Sequence, residues 1–130
     1  MTKNSDVAWS YFELLGEGRV DEALDLLDDE GTHWSMMNRT TMPLRQLKRG
    51  VRTLWERMPM RFTRHNALDA GDQAVLELES HATRPDGKPY NNVYCLVVTV
   101  ADGKITYMRE YLDSVVAKDA IASLGGWPPT

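Results

Sequence analysis

One carboxylate near the C-terminal end of the chain stands out because of its neighbours. The segment ITYMREYLDSV, residues 105–115, reads as an extended strand, in which alternate side chains lie on the same face. Glu110 therefore shares a face with Met108 and Leu112. The opposite face carries Ile105, Tyr107, Arg109, Tyr111 and Asp113. A carboxylate among apolar neighbours is destabilised in its charged form, so Glu110 is a candidate for giving or taking a proton. The alternative is an exposed glutamate, or one paired with a neighbouring cation.

A second group of ionisable side chains lies on another predicted strand. The segment AVLELESHAT, residues 74–83, places Glu77, Glu79 and His81 on one face. Alternation alone turns Leu76 and Leu78 on the other face towards the core and leaves the carboxylates in water.

His33, in the short predicted strand THWSMM, is the third candidate. Its imidazole titrates near neutral pH, so it can orient or deprotonate a water molecule. A half-buried structural histidine is the alternative. His33, His81 and the two glutamates could be pictured as metal ligands, but such spacings are common by chance, and we expect neither a metal nor a cofactor.

Composition limits the function classes. The chain has 130 residues, 42% of them hydrophobic and 26% charged, and a formal net charge of −4. An acidic balance argues against a general nucleic-acid binder. The only cysteine, Cys95, excludes an internal disulfide framework and a multi-cysteine metal site. The first residues lack the pattern of a signal peptide and no apolar run approaches 18 residues, so we expect a cytoplasmic protein without a membrane span.

Periodicity and turn residues predict the elements that must position these groups. Helices are predicted over residues 5–16, 20–27, 41–58 and 114–124, and strands over 32–37, 60–68, 74–83, 90–100 and 105–113. Asp-Gly pairs in RPDGKP and ADGK predict two hairpins. The order predicts an α+β fold with a curved antiparallel sheet wrapped around helices.

Three stretches carry a family resemblance: SYFELLGEGRVDEALDLL, DGKPYNN and DGKITYMREYLD. With the element order, they make residues 5–121 similar to the NTF2-like superfamily, and within it to the SnoaL-like, ketosteroid-isomerase and limonene-epoxide-hydrolase families. The resemblance implies one domain over residues 1–130, in which a conical sheet and three N-terminal helices enclose an apolar pocket. It also implies a small hydrophobic ligand.

The epoxide-hydrolase resemblance assigns roles to several residues. Glu110 and Glu79 match that family's two catalytic aspartates, and His33 matches its water-positioning tyrosine. Glu77 stands where that family has a bridging arginine, so the intact epoxide-opening triad is absent.

The ketosteroid-isomerase resemblance is partial. Tyr11 stands at the position of that family's catalytic tyrosine, although a core tyrosine is the alternative. Ser35 replaces its aspartate base and cannot serve as one, so the family's usual route is not expected.

The resemblance further implies which side chains face the pocket. The predicted substrate-binding set is Ser35, Trp55, Met58, Glu77, His81, Asn92, Tyr94, Leu96, Met108 and Leu112. For Val75, Glu77, Glu79 and His81 this inward orientation conflicts with the alternation pattern, and both orientations stay open.

Two functions follow from these observations. The first is a cofactor-independent acid/base enzyme (isomerase, cyclase or hydrolase type) acting on a small hydrophobic molecule such as a terpenoid, polyketide or steroid-like compound. The second is a non-catalytic ligand-binding or dimerisation module, favoured if large side chains such as Trp55, Met58 and Met36 fill the pocket. Apolar and aromatic residues on the convex face predict a homodimer through the sheet.

Overall fold

The computed structural model describes residues 3–129. Its elements follow the chain in this order: α1 (Asn4–Gly16), α2 (Val20–Leu24), β1 (Leu27–Ser35), β2 (Thr40–Pro43), α3 (Leu44–Arg57), β3 (Arg61–Ala70), β4 (Gln73–Thr83), β5 (Pro89–Ala101), β6 (Lys104–Leu112) and α4 (Ser114–Ser123). The six strands form one sheet in the order β2-β1-β6-β5-β4-β3. The predicted α+β class with a curved sheet and helices is confirmed.

The core lies between the helices and the inner face of the sheet. Helix α1 buries residues at helical spacing, namely Ala8, Tyr11, Phe12 and Leu15, and α3 buries Leu44, Leu47, Val51, Leu54 and Trp55. The inner face of β4 buries Leu76 and Leu78, which are at most 1% exposed. Apolar spacing thus places α1 and α3 against the sheet.

One strand pair is parallel. Strands β3 to β6 form the predicted antiparallel meander, but β1 runs parallel to β6, with His33 opposite Met108 and Ser35 opposite Glu110. This pairing brings the two candidate site segments side by side in the middle of the sheet.

The N-terminal half differs from the prediction in two elements. The second helix ends at Leu24 instead of residue 27, because Leu27 already pairs with β6 and is buried there. Strand β2 was not predicted. The helix predicted from residue 41 begins only after Pro43, because Thr41 pairs with Trp34 in that strand.

A bulge changes the predicted face of one residue. Ile105 pairs with Val100 and Tyr107 pairs with Thr99, so Thr106 is the extra residue between them. Ile105 is therefore fully buried on the inner face, instead of sharing the outer face with Tyr107.

Among the described residues, no helix has the length and apolar character needed to span a membrane.

Candidate active site

A cavity of about 130 Å³ lies between the helices and the inner face of the sheet. Most of its wall is apolar and includes Phe12, Leu15, Leu54, Trp55, Met58 and Met108. Its polar groups come from α1, β1, β5 and β6, together with Asn38. Within residues 3–129, Glu110 is the only carboxylate on the wall, and no lysine or arginine lines it.

Glu110 projects from β6 into this cavity, together with Met108 and Leu112, as strand alternation predicted. Ser35 Oγ donates a hydrogen bond to Glu110 Oε1 at 3.1 Å and accepts one from the backbone N–H of Met37, also at 3.1 Å. The single hydroxyl hydrogen of Ser35 is therefore committed to Glu110. The parallel register holds the carboxylate in place from the adjacent strand.

His33 lies two residues before Ser35 on the same face of β1 and also lines the cavity. Its side chain is 5% exposed, and among the described residues its Nδ1 atom has no hydrogen-bond partner. Burial lowers the pKa of His33, and the nearby Glu110 carboxylate partly opposes that change. The imidazole is therefore neutral at pH 7.

Tyr11 reaches the cavity from α1 and is 3% exposed. Burial, with a smaller contribution from the Glu110 charge, raises the pKa of Tyr11, so its hydroxyl keeps its hydrogen at neutral pH. Tyr11 and Glu110 thus supply a hydrogen-bond donor and an acid/base group to one cavity.

Glu77, Glu79 and His81 were expected by resemblance to face this cavity, and that orientation is wrong. They lie on the outer face of β4, and none of them lines the cavity. Glu79 Oε1 lies 2.9 Å from His65 Nε2, and its Oε2 accepts from Asn91 Nδ2 at 2.8 Å. These outer-face contacts lower the pKa of Glu79.

The residues on the two faces of β4 explain this orientation. Val75 is also on the outer face, because Leu76 and Leu78 take the inner positions. Burying two leucines is favourable, whereas burying two more carboxylates beside Glu110 with no cation is costly.

The remaining substrate-binding candidates divide into two groups. Tyr94, Trp55 and Met58 line the cavity. Asn92 and Leu96 face inwards and are buried, but they do not line it. Met36, considered as a pocket-filling residue, is 41% exposed and lies off the cavity wall.

Several lining residues were missed by the sequence reasoning. Tyr90 shares strand parity with Asn92 and Tyr94, so alternation could have identified it. Ala117, Ala120 and Ile121 of α4 and Trp127 also line the cavity, and the sequence pattern gave no signal for Trp127.

Helix α4 is fixed over the cavity by charged groups. Asp113 caps it by accepting hydrogen bonds from the backbone N–H groups of Val115 and Val116. Arg84 Nη1 contacts Asp119 of α4 at 2.7 Å, and its Nη2 contacts Asp86 in the β4–β5 turn at the same distance. The turn therefore anchors this part of the cavity wall.

Over residues 3–129, no three His, Cys, Asp or Glu side chains are grouped so that they could hold a metal ion.

Residues 9–108 match the family model of the SnoaL-like domain. The chain belongs to this family. No curated protein matches the chain by sequence.

Solved structures show the same fold at low sequence identity. An LEH-like epoxide hydrolase from M. tuberculosis has a TM-score of 0.78 and 18% identity, with 94% of this chain and 92% of that chain covered. A protein from Jannaschia sp. CCS1 classed as a SnoaL-like polyketide cyclase has a TM-score of 0.75 and 17% identity, covering 92% and 91%. A protein with a ketosteroid isomerase-like fold from Catenulispora acidiphila has a TM-score of 0.74 and 15% identity, covering 95% of each chain.

Proposed function

We propose that the protein is a cofactor-independent enzyme in which Glu110 transfers a proton within a small hydrophobic substrate, as an isomerase or cyclase does. The observation that carries this proposal is a lone carboxylate in an apolar cavity, hydrogen-bonded by Ser35 at 3.1 Å. Among the described residues, the Glu110 carboxylate has no second hydrogen-bond partner, which leaves its other oxygen available for a substrate. The SnoaL-like family and its structural neighbours include isomerases, cyclases and epoxide hydrolases, which fits this class of chemistry.

The polar groups around Glu110 suggest a division of roles. Glu110 takes a proton from a substrate C–H group and returns it at another atom, so that no net oxidation occurs. Tyr11 keeps its hydroxyl hydrogen and donates a hydrogen bond to the substrate oxygen that gains negative charge. Neutral His33 orients the substrate or a water molecule beside the carboxylate.

Epoxide opening by a pair of carboxylates has less support. That chemistry needs a second acid facing the same substrate, and both Glu77 and Glu79 are on the other side of the sheet. The cavity itself, about 130 Å³, is smaller than the roughly 300–1,000 Å³ of drug-sized ligand sites, so a compact substrate is favoured over a steroid-like one.

Proton transfer can be measured without knowing the natural substrate. A panel of small apolar ketones, alkenes and epoxides is incubated with the protein in D₂O, and deuterium incorporation is followed by mass spectrometry. Glu110→Gln is expected to slow exchange about 10²- to 10⁴-fold, the usual contribution of a general acid or base. Glu79→Gln is the matched control and should exchange at the wild-type rate.

The same experiment separates the enzyme from a ligand-binding module. Exchange that is equal in wild type and Glu110→Gln contradicts the enzyme assignment. A panel compound that binds to both proteins without any exchange favours the binding module, a possibility supported by the large side chains of Trp55 and Met58 in the cavity wall.

We also propose that the outer face of the sheet forms a homodimer. Half-buried Trp34, Tyr107 and Tyr111 lie there around Arg109, whose guanidinium carbon is 4.4 Å from the centre of the Trp34 ring. Val93, also on this face, is 57% exposed. Sedimentation equilibrium of wild type and Trp34→Glu tests this: a wild-type dimer that the substitution dissociates supports the interface, and a wild-type monomer contradicts it.

A further inference from the structure

The two ring nitrogens of His33 have different surroundings. Neither Nδ1 nor Nε2 has a hydrogen-bond partner among the described residues, but only Nδ1 is completely enclosed by protein atoms. The side chain is 5% exposed and lines the cavity, so Nε2 is the nitrogen that a ligand in the cavity can reach. His33 is thus a buried polar side chain whose hydrogen-bond partner at Nε2 must come from the cavity.

The enclosure of Nδ1 determines where neutral His33 carries its single imidazole hydrogen. On Nδ1, the hydrogen would form a buried N–H group without an acceptor, which is unfavourable and rarer in proteins than a buried acceptor without a donor. On Nε2, the hydrogen faces the cavity, and the negative charge of Glu110 acts on the ring from the same cavity. Both effects favour the tautomer with its hydrogen on Nε2.

Two tyrosines of the cavity wall have no hydrogen left for a ligand. Tyr94 Oη donates its hydrogen to Ser80 Oγ at 2.9 Å, so Tyr90 Oη, which is 3.0 Å from Tyr94 Oη, donates to Tyr94. The Tyr11 hydroxyl and the His33 ring, by contrast, have no hydrogen-bond partner among the described residues. Both are close enough to the proposed base for its charge to act on them. Donors to a ligand therefore lie on the Glu110 side of the cavity.

We propose that His33 is a specificity-determining residue, whose Nε2–H group donates a hydrogen bond to the carbonyl oxygen of the substrate. The inference rests on the proposed function, because a C–H group next to a carbonyl is the kind from which Glu110 can take a proton. The electron pair of that C–H bond then forms a C=C bond, and the carbonyl oxygen becomes an enolate oxygen whose negative charge the Nε2–H group stabilises. The proton on Glu110 returns to another atom of the substrate.

The same tautomer limits what His33 can do. With its hydrogen in place, Nε2 has no lone pair with which to take a proton from water, and the enclosed Nδ1 cannot reach a water molecule in the cavity. His33 therefore binds and orients the substrate, and the proton transfer belongs to Glu110.

The tautomer can be read without a ligand. The chain has three histidines, and the variant His65→Gln/His81→Gln, which is changed only on the outer face of the sheet, leaves His33 as the only one. Long-range ¹H–¹⁵N NMR of this variant at pH 7 distinguishes the protonated ring nitrogen from the bare one by their ¹⁵N shifts. A protonated Nε2 and a bare Nδ1 are expected. A hydrogen on Nδ1, or one shared equally between the two nitrogens, overturns the proposal.

The contact with a carbonyl oxygen is tested with acetophenone, and with α-methylstyrene as a molecule of similar shape without an acceptor. Infrared difference spectroscopy of ¹³C-labelled acetophenone reads the carbonyl stretch, which in the wild-type protein is expected below its position in hexane. His33→Phe should move the band towards that position and weaken acetophenone about fivefold relative to α-methylstyrene, the effect of one lost hydrogen bond. His33→Gln, whose amide keeps a donor, should hold the band lower than His33→Phe does.

His65→Gln/His81→Gln is the matched control and should give the wild-type band and binding ratio. A band that His33→Phe leaves unchanged and Tyr11→Phe moves assigns the donor to Tyr11 and overturns the proposal. If His33→Phe does not fold, the NMR measurement still decides, because His33 is unchanged in it. A bare Nε2 together with Glu110-dependent deuterium exchange overturns the His33 assignment alone. A protonated Nε2 and a lowered band without such exchange overturn the proposed function alone.

Discussion

The inner and outer faces of the sheet each carry a glutamate near a histidine, but the two glutamates have different surroundings. On the outer face, both carboxylate oxygens of Glu79 have partners, His65 and Asn91, which lower its pKa. On the inner face, Glu110 has Ser35 on one oxygen and an apolar cavity beyond it. A glutamate and a nearby histidine therefore do not indicate a reactive site by themselves. The difference lies in the second carboxylate oxygen of Glu110, which has no hydrogen-bond partner among the described residues, and in the apolar cavity wall beside it.

The largest expected effect comes from moving a carboxylate across the sheet. Leu78→Glu places a charge at a position that is 1% exposed, between two glutamates that point outwards. An unpaired buried charge should lower the free energy of unfolding by about 4 kcal/mol or more, measured by urea denaturation. The reciprocal change Glu77→Leu, on the exposed face, should stay within about 0.5 kcal/mol of wild type.

Leu78→Ala provides a milder version if the charged variant does not fold. It should cost about 2–5 kcal/mol through the cavity that it leaves. Wild-type stability in both Leu78 variants would show that β4 presents its other face to the core.

A substitution at Gly50 would test how tightly Trp127 packs against α3 at the cavity wall. A Cβ atom at this position of α3 would lie 2.5 Å from Cζ2 of Trp127, a residue of the cavity wall. Gly50→Ala should therefore lower the free energy of unfolding by about 1–3 kcal/mol and displace Trp127. Gly16→Ala is the control, because its Cβ would meet nothing closer than 3.6 Å. Equal stability of the two variants would mean that Trp127 does not pack on Gly50.

The inner histidine should give stability a pH dependence just below neutrality. The pKa of His33 is lowered in the folded protein from its ordinary value of 6.5, so the unfolded chain binds the proton first. Stability should fall as pH decreases below 6.5, by at most about 1.4 kcal/mol per pH unit for one proton. Urea denaturation between pH 5 and pH 7 should show a flatter profile for His33→Asn, and an unchanged slope would count against a buried neutral imidazole.

Glu79 on the outer face should also make the stability depend on pH, but in a more acidic range and by a smaller amount than His33. The pKa of Glu79 is lowered from 4.5, so its contribution is present above that pH and is lost as the pH falls through the folded value. Glu79→Gln should flatten the stability profile below pH 4.5 and leave the His33 window unchanged. A change in both windows would indicate that the two faces are electrostatically coupled.

The sequence was sufficient for most of the fold because hairpin turns and apolar spacing are local signals. The two Asp-Gly hairpin turns and the helices α1 and α3 lie within a few residues of where they were predicted. Local patterns could not reveal β2, whose threonines pair only because β1 lies beside them, or the bulge that turns Ile105 inwards.

The site could be predicted only in part, because strand alternation is a local signal and contacts between distant segments are not. Strand parity placed Glu110 correctly and, taken alone, also placed Leu76 and Leu78 correctly. The family resemblance predicted that Glu79 points into the cavity. Among the described residues, however, no lysine or arginine lines the cavity, so the charge of a second carboxylate there would have no counterion. The Ser35–Glu110 hydrogen bond was outside the reach of pattern reasoning, because its partners come from a parallel strand pair.

That parallel pair has a consequence for how the protein is made. Ser35 and Glu110 are separated by 75 positions, and β1 acquires its neighbour on that side only after β6 has left the ribosome. Such long-range pairings slow folding, since a large loop must close before they form. The N-terminal helices can collapse on a growing chain, but the carboxylate and the serine that orients it meet only after β6 has been synthesised.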